Sequence, residues 1–195
     1  MVTKKYELTG EVKVLVSGKK LYRIKALIDF KNVKAGDLGG WIESEKNLTH
    51  DGNAWVYGNA RVCGNAEVYG DAEVYGDAEV YGNARVCGNA RVCGNARVCG
   101  NARVCGNAEV YGNAWVYGDA EVKETDDLIW ISKIGSRNDT VTFVKSKDKK
   151  ILVSVGCFRG TIEEFEAKVK DTHGDNEHAQ AYLLTIQLAK LRLKV

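Results

Sequence analysis

The chain has 195 residues, with 28 Lys and Arg against 26 Asp and Glu, which gives a formal net charge of +2. This length allows one substantial domain or one elongated unit with caps. A protein that binds nucleic acid carries a concentrated basic surface, and a nucleic-acid mimic carries a concentrated acidic one. The balanced composition argues against both classes, so we expect no nucleic-acid partner.

The amino-terminal segment Met1–Tyr6 lacks the apolar core of a signal peptide, and no apolar run approaches the length of a membrane span. These features predict a cytoplasmic protein with no membrane partner. Five of the six cysteines recur at one position of an internal repeat, and none has the C-x-x-C spacing of a zinc site. The sequence therefore predicts neither a bound metal nor a cofactor.

The first predicted element is a β-hairpin over residues 5–28. Apolar and polar residues alternate from Tyr6 to Val16, Ser17–Lys20 has the composition of a turn, and apolar residues return at Leu21. The repeat that follows would otherwise begin with an exposed strand edge. We therefore assign residues 1–38 to an N-terminal β cap.

The repeat is regular over residues 52–123. Gly recurs every six residues from Gly52 to Gly118, twelve times, and is followed by Asn or Asp, then Ala, a variable residue and Val. Ala and Val lie two residues apart, so they point to the same side of an extended strand. Gly with Asn or Asp supplies a corner, because Gly accepts positive φ and Asn and Asp tolerate it better than other residues do. This period predicts a parallel β-helix lined by Ala and Val.

The charged residues that precede each Val indicate how many hexads make one coil. Residues on neighbouring coils lie at cross-strand distance, where opposite charges attract. At a separation of eighteen residues six of the seven charged pairs are opposite, as in Arg61–Glu79 and Glu73–Arg91. Three hexads per coil, a triangular prism of about four coils, fits this pattern. A separation of twenty-four residues gives five of six, so charge pairing leaves a four-sided coil open.

Residues 39–51 continue the repeat in a degenerate form. Counting back in sixes places Ile42 and Leu48 at the Ala position and His50 at the inward Val position. We expect these larger residues to begin the β-helix, and His50 to belong to the cap rather than to act as a base. The β-helix domain is accordingly assigned to residues 39–123.

An aliphatic residue followed four positions later by a small one, as in Val56 and Ala60, resembles the hexapeptide-repeat left-handed β-helix. That family often has Gly directly after the aliphatic residue, whereas Tyr or Cys stands there in this chain. The phrase G-[N/D]-A-x-V-Y, with the segments 37–43, 156–165 and 173–176, is similar to uncharacterised hexapeptide-repeat proteins of phages and prophages. The resemblance covers nearly the whole chain. It implies a left-handed fold and, for a phage-encoded protein, the host cell cytoplasm, but no established activity.

The segment 124–195 is predicted to form a small α+β domain. Three strands are predicted, at Leu128–Ile134, Thr140–Lys145 and Lys150–Val155. Thr161 and Glu164 form a capping box for a helix that Gly174 ends, and a second helix begins near Asn176. The predicted fold is thus mainly β: a short left-handed β-helix with an N-terminal hairpin cap and a C-terminal α+β domain.

Aromatic and arginine side chains are predicted to face outward on two sides of the coil. The first face carries Trp55, Tyr57, Tyr75, Arg91 and Tyr111, and the second carries Tyr81, Trp115 and Tyr117. Flat faces rich in Tyr, Trp and Arg match the composition of interface cores. Tyr also favours strands and stacks along its own ladder without any partner. The faces predict binding of a partner or a homo-oligomer, a dimer or a trimer.

Three residues of the C-terminal domain are candidates for chemistry. Cys157 and His173 form a thiol–imidazole pair if the fold brings them together, although each also fits a structural role at the end of an element. Arg159 lies in the turn Gly156–Gly160, which either binds an anion at the following helix or simply joins a strand to it. Acyltransferases built on hexapeptide repeats call for a His against the coils, and the twelve regular hexads contain none.

The leading interpretation is a non-enzymatic, phage-type accessory binding protein whose β-helix is a rigid oligomerisation scaffold. The phage resemblance implies an anti-defence or host-modulating role, exerted on a host protein or a small signalling molecule. The alternative is an enzyme, either an acyltransferase relative or a hydrolase that uses Cys157 and His173.

Overall fold

In the computed structural model, which describes residues 3–194, the amino-terminal strands form a hairpin that joins the repeat. Strand β1 (Tyr6–Val14) pairs antiparallel with β2 (Lys20–Ala26), and β2 pairs antiparallel with β3 (Leu38–Ile42). Strand β3 then runs parallel to a strand of the repeat. The predicted hairpin is confirmed, and it extends one sheet of the β-solenoid.

Each regular hexad contributes a two-residue strand made of the variable residue and Val. These strands, β4–β15, are Trp55–Val56, Arg61–Val62, Glu67–Val68, Glu73–Val74, Glu79–Val80, Arg85–Val86, Arg91–Val92, Arg97–Val98, Arg103–Val104, Glu109–Val110, Trp115–Val116 and Glu121–Val122. Each pairs in parallel with the strand eighteen residues away, so three hexads make one coil and the four-sided alternative is wrong. The solenoid has about five turns, because segments outside the regular hexads also contribute.

The stacked strands form three faces, which correspond to those predicted. The first face consists of β4, β7, β10 and β13, the second of β5, β8, β11 and β14, and the third of β6, β9, β12 and β15. Strand β3 and the hairpin continue the second face at its N-terminal end. The left hand of the solenoid and the domain boundaries at 38/39 and 123/124 stay predictions.

Within each hexad, Ala and Val form the core and Gly forms the corner. Ala and Val side chains over residues 54–122 are at most 1 % exposed and fill the interior. Each corner Gly has positive φ, as at Gly76 (+72°), where an added Cβ would lie 3.0 Å from the Gly94 nitrogen of the next coil. Asn and Asp keep negative φ and form ladders instead, as where the Asn65 amide donates to Asn83 at 3.1 Å. Gly alone therefore supplies the left-handed backbone of the corner.

The first turn departs from the predicted phase. Ile42 pairs with Val62 and Leu48 bridges to Val68, each across twenty residues, so both stand at the Val position. The prediction that they stand at the Ala position was wrong. Eight residues rather than six separate Leu48 from Val56, and counting in sixes assumes no such insertion.

Hydrogen-bond donors close the N-terminal end of the solenoid. Carbonyl oxygens at Gly and Ala positions accept from the preceding coil, so the first coil needs donors from outside the repeat. The ammonium group of Lys5, a residue 1 % exposed, donates to the carbonyls of Gly52 and Ala54 at 3.2 and 2.8 Å. The buried Asn47 amide donates to the equivalent two carbonyls two hexads later, at 3.0 and 2.8 Å.

A four-stranded antiparallel sheet covers the C-terminal end. Its strands are β16 (Leu128–Ile134), β17 (Asp139–Lys145), β18 (Ile151–Val155) and β19 (Phe158–Thr161). Alternate residues face opposite sides, so Val144 joins the solenoid core and Phe143 joins a second core beneath the helices. The Thr142 hydroxyl accepts from the Trp115 backbone N–H at 3.1 Å, so the C-terminal sheet supplies an acceptor for one donor of the last coil.

Two helices lie on the far side of that sheet. Helix α1 (Ile162–His173) begins with the predicted capping box of Thr161 and Glu164, and Gly174 ends it at φ +56°. Helix α2 (Glu177–Leu193) has Asn176 as its N-cap. These predictions are confirmed, whereas Phe158–Thr161 is a strand and not the predicted turn, because only Gly156 and Cys157 form the β18–β19 turn.

Candidate functional site

The first face begins beneath the N-terminal cap. Trp55 points out of the coil but is only 1 % exposed, because the Phe30 ring packs against it edge-on at a centroid distance of 5.3 Å. Lys31 of the same loop forms an ion pair with Glu73 at 2.6 Å, and Tyr57 is half-buried. Trp55 was expected to lie on an outward binding face, and in the structure the cap occupies that position.

Above the cap, Arg91 lies at the centre of the first face. Its guanidinium contacts two carboxylates on the coils before and after it, Glu73 at 3.5 Å and Glu109 at 3.4 Å. The pairing follows from the eighteen-residue charge alternation and holds the long side chain flat along the sheet. Arg91 itself is exposed, so its outer edge is open to a partner.

Two tyrosines flank Arg91 on the same face. A hydrogen bond to the Cys93 thiol, with partial burial, raises the pKa of Tyr75 to about 12, so this hydroxyl is neutral at physiological pH. Tyr111 is 42 % exposed, and its ring meets Trp130 edge-on at a centroid distance of 4.2 Å. We call Tyr75, Arg91 and Tyr111 the free strip, since Arg91 and Tyr111 are exposed and Tyr75 is half-buried, although Tyr111 also contacts Trp130 of the C-terminal domain.

The upper end of the second face is covered by the C-terminal domain. The Tyr117 hydroxyl lies 3.2 and 3.0 Å from the carbonyl oxygens of Val153 and Gly160, to which it donates. The Arg159 guanidinium carbon lies 3.5 Å from the centre of the Trp115 ring, and burial lowers the pKa of this arginine. Three predicted binding residues, from two distant segments, therefore meet one another within the chain.

Arg159 is held in this contact by its own turn. Its Nη1 donates to the Gly156 carbonyl at 3.0 Å, and a second bond goes to the Phe158 carbonyl. Lower on the second face, burial and a hydrogen bond to the Cys99 thiol raise the pKa of Tyr81. The second face thus presents less open aromatic surface than the first.

Cys157 and His173 line one cavity. It has a volume of about 220 Å³ and lies between the β18–β19 turn and the two helices, with Asp139 and Lys168 also in its wall. The His173 ring packs against Tyr182 at a centroid distance of 5.9 Å. The two candidate catalytic residues therefore line the same cavity, whose wall also carries a carboxylate and an ammonium group.

His50 has a structural environment. Its Nδ1 accepts from the Lys5 backbone N–H at 3.2 Å, and its ring stacks on Tyr6 at 4.4 Å. Its position in the lengthened segment explains why it does not take the inward Val position predicted for it. These contacts fit the N-terminal cap, to which the sequence also assigned it.

A family profile described as the YdcK beta solenoid repeat matches five overlapping segments of the chain. They are residues 78–94, 84–100, 90–106, 96–110 and 102–118. Together they span about a fifth of the sequence, all within the regular hexads, so the chain is similar to that family in its repeat. A search of curated proteins found no match. Within residues 3–194, no helix is long and apolar enough to cross a membrane.

Proposed function

We propose that this protein is a non-enzymatic binding protein, in which the β-solenoid is a rigid scaffold that presents the free strip to a protein partner. The observation that carries the proposal is the contrast between the faces. Trp55 and Tyr117 at the ends of the solenoid are held beneath the chain's own caps, whereas Arg91 and Tyr111 are exposed and Tyr75 is half-buried in the same row, although Tyr111 also packs against Trp130 of the C-terminal domain. Tyr and Arg on a flat, rigid surface are the residue types that dominate interface energetics.

Rigidity supports this function because an ordered surface loses little entropy on binding. The strip is built on stacked strands whose corners are joined by Gly–Gly contacts and Asn ladders. It is flat rather than concave, which favours a protein surface over a small molecule, since small ligands bind in clefts. In its finer form, the proposal is that the strip binds a host protein and that this binding serves an anti-defence or host-modulating role. The resemblance to phage proteins supports this form.

The experiment is native mass spectrometry of tagged protein purified gently from its own host, for the wild type, Tyr75→Glu and Tyr69→Glu. Tyr69 is a matched control, because it occupies the same hexad position on the third face and likewise hydrogen-bonds a cysteine, Cys87. We expect a stoichiometric protein partner that Tyr75→Glu loses and Tyr69→Glu retains. A wild type that carries no partner, or one whose partner survives Tyr75→Glu with Tyr111→Glu, overturns the proposal.

The second candidate function is a thiol-dependent hydrolase, favoured by the cavity that Cys157 and His173 share. In that role His173 would accept the thiol proton and the Cys157 thiolate would attack the ester carbonyl carbon. The ester C–O bond would break, with the proton from His173 passing to the departing alcohol, and water would then cleave the thioester to give the acid and the free thiol. Cys157→Ala and His173→Ala should each abolish hydrolysis of an activated ester while leaving the melting temperature nearly unchanged. Hydrolysis that persists in both variants removes this candidate.

A further inference from the structure

Helix α2 is apolar on two opposite sides. Its inner side packs on the sheet through Ala179, Tyr182, Ile186, Ala189 and Leu193. Its outer side carries Leu184, Leu188 and Leu191, which are 66, 43 and 69 % exposed. An α-helix turns by about 100° per residue, so these spacings of four and three keep the leucines in one narrow stripe opposite the buried side. Leucines at such spacing are typical of a helix that packs against another helix.

We propose that this leucine stripe binds the same stripe of a second copy of the chain, with the two α2 helices antiparallel. With Ala181, which is half-buried and also packs against the core beneath α2, the stripe has spacings of three, four and three, which read the same in both directions. An antiparallel copy therefore places Leu184 beside the partner's Leu188, and Ala181 beside the partner's Leu191. Such self-complementarity is what a two-fold dimer interface requires.

The charges at the ends of α2 select the same orientation. Asp175 and Glu177 lie at its N-terminal end, and Arg192 and Lys194 lie at its C-terminal end, all exposed. An antiparallel pair sets each acidic end beside a basic end, whereas a parallel pair would place like charges together. The helix dipoles also oppose one another favourably in the antiparallel pair. A second copy of α2 thus satisfies both the apolar stripe and the charges that flank it.

Sedimentation of the full chain between about 1 and about 100 µM tests the dimer, since this range spans weak specific association. We expect the mass to rise from 21.4 kDa towards twice that value. Leu184→Glu with Leu191→Glu should remain monomeric throughout. Ala167→Glu with Thr172→Glu adds the same two charges at exposed positions of α1 and should still dimerise. A wild type that is monomeric throughout, or a dimer that the leucine variant retains, overturns the proposal.

Charge reversal tests the orientation. Asp175→Lys with Glu177→Lys should weaken the dimer by about tenfold or more, and adding Arg192→Glu with Lys194→Glu should restore it. If the helices pair in parallel, adding Arg192→Glu with Lys194→Glu will not restore the dimer. This inference is independent of the free strip. A dimer lost in Tyr75→Glu with Tyr111→Glu but kept in the leucine variant would overturn it and assign self-association to the first face.

Discussion

Arg159 and Trp115, which lie forty-four residues apart in sequence, face each other at 3.5 Å between the guanidinium carbon and the centre of the indole ring. One comes from the β18–β19 hairpin and the other from the last coil of the second face. Trp115 also donates its indole N–H to the Cys99 sulfur at 3.2 Å. The contact fixes the C-terminal domain against the end of the solenoid.

The first prediction concerns this contact. Arg159→Met keeps the aliphatic stem but removes the cation, and we expect it to destabilise the protein by about 1 to 2 kcal/mol, because the site is partly desolvated. Arg97→Met is the control: its guanidinium carbon is 5.2 Å from the same ring and its side chain is exposed, so the loss should be smaller. Chemical denaturation followed by tryptophan fluorescence measures both. Equal losses in the two variants would contradict the assigned role.

The second prediction concerns the stacked corners. Gly76 and Gly58 both have positive φ, but only Gly76 lies against the next coil. A Cβ added at Gly76 would lie 3.0 Å from the Gly94 nitrogen, whereas one added at Gly58 would meet no atom within 4 Å. Either substitution by Ala incurs the cost of the left-handed region, about 1 to 2 kcal/mol. Gly76→Ala should cost at least about 1 kcal/mol more, because the neighbouring backbone must shift. Thermal unfolding of the pair measures the difference, and equal midpoints would show that corner stacking does not constrain the coils.

The third prediction concerns the buried Lys5. Burial lowers the pKa of its ammonium group from the ordinary 10.5 to about 8. Between these values the unfolded chain binds more protons than the folded one, so this group makes stability rise as the pH increases from 8 to 10.5. The gain is at most about 3 kcal/mol.

Lys5→Met isolates that gain. At pH 7 the variant should be less stable by about 2 kcal/mol, because two carbonyl groups lose their donor. The stability difference between wild type and variant should then widen above pH 8. Taking the difference in stability between the two proteins cancels the contribution of the tyrosines. Their raised pKa values make stability fall as the pH rises above 10. Denaturant titrations of both proteins at pH 7, 8.5 and 10 test this. A difference that stays constant would contradict the prediction.

The fourth prediction compares Asn47 and Asp127, which occupy similar positions at the two ends. Each side-chain oxygen accepts two backbone N–H groups of the segment before it, but only Asn47 also donates, to two carbonyls of the first coil. Asn47→Asp should therefore cost about 3 kcal/mol or more, since a carboxylate would face carbonyl oxygens. Asp127→Asn keeps an acceptor and loses only the charge facing Lys145, which is worth about 1 kcal/mol. Denaturation midpoints test the order, and the reverse order would contradict it.

The regular hexads were predictable because each residue's environment repeats locally. Ala and Val alternate within one strand, and their neighbours across the sheet lie eighteen residues away in the same pattern. The capping box at Thr161 was equally predictable, since it depends on residues three apart. These parts of the fold need no knowledge of tertiary contacts.

Other features depend on contacts that the pattern does not contain. Trp55 shares the repeat position of exposed residues, and only the fold of the preceding loop buries it beneath Phe30. The contact between Arg159 and Trp115 requires the docking of the C-terminal sheet, which no local spacing indicates. The leucine spacing of α2 is visible in the sequence, but which side is exposed follows only from how the helix packs.

The pairing of each coil with residues eighteen positions away also constrains how the chain can change in length. Insertion or deletion of eighteen residues in the regular hexads would move the two ends by about 4.8 Å along the axis while leaving each cap above its own face. Insertion of six before Trp115 would rotate the last coil and the C-terminal domain together by one face relative to the N-terminal cap, and Arg159 would keep Trp115 because both lie after the insertion. Length variants that keep the two caps in their present relative orientation should therefore differ by whole coils.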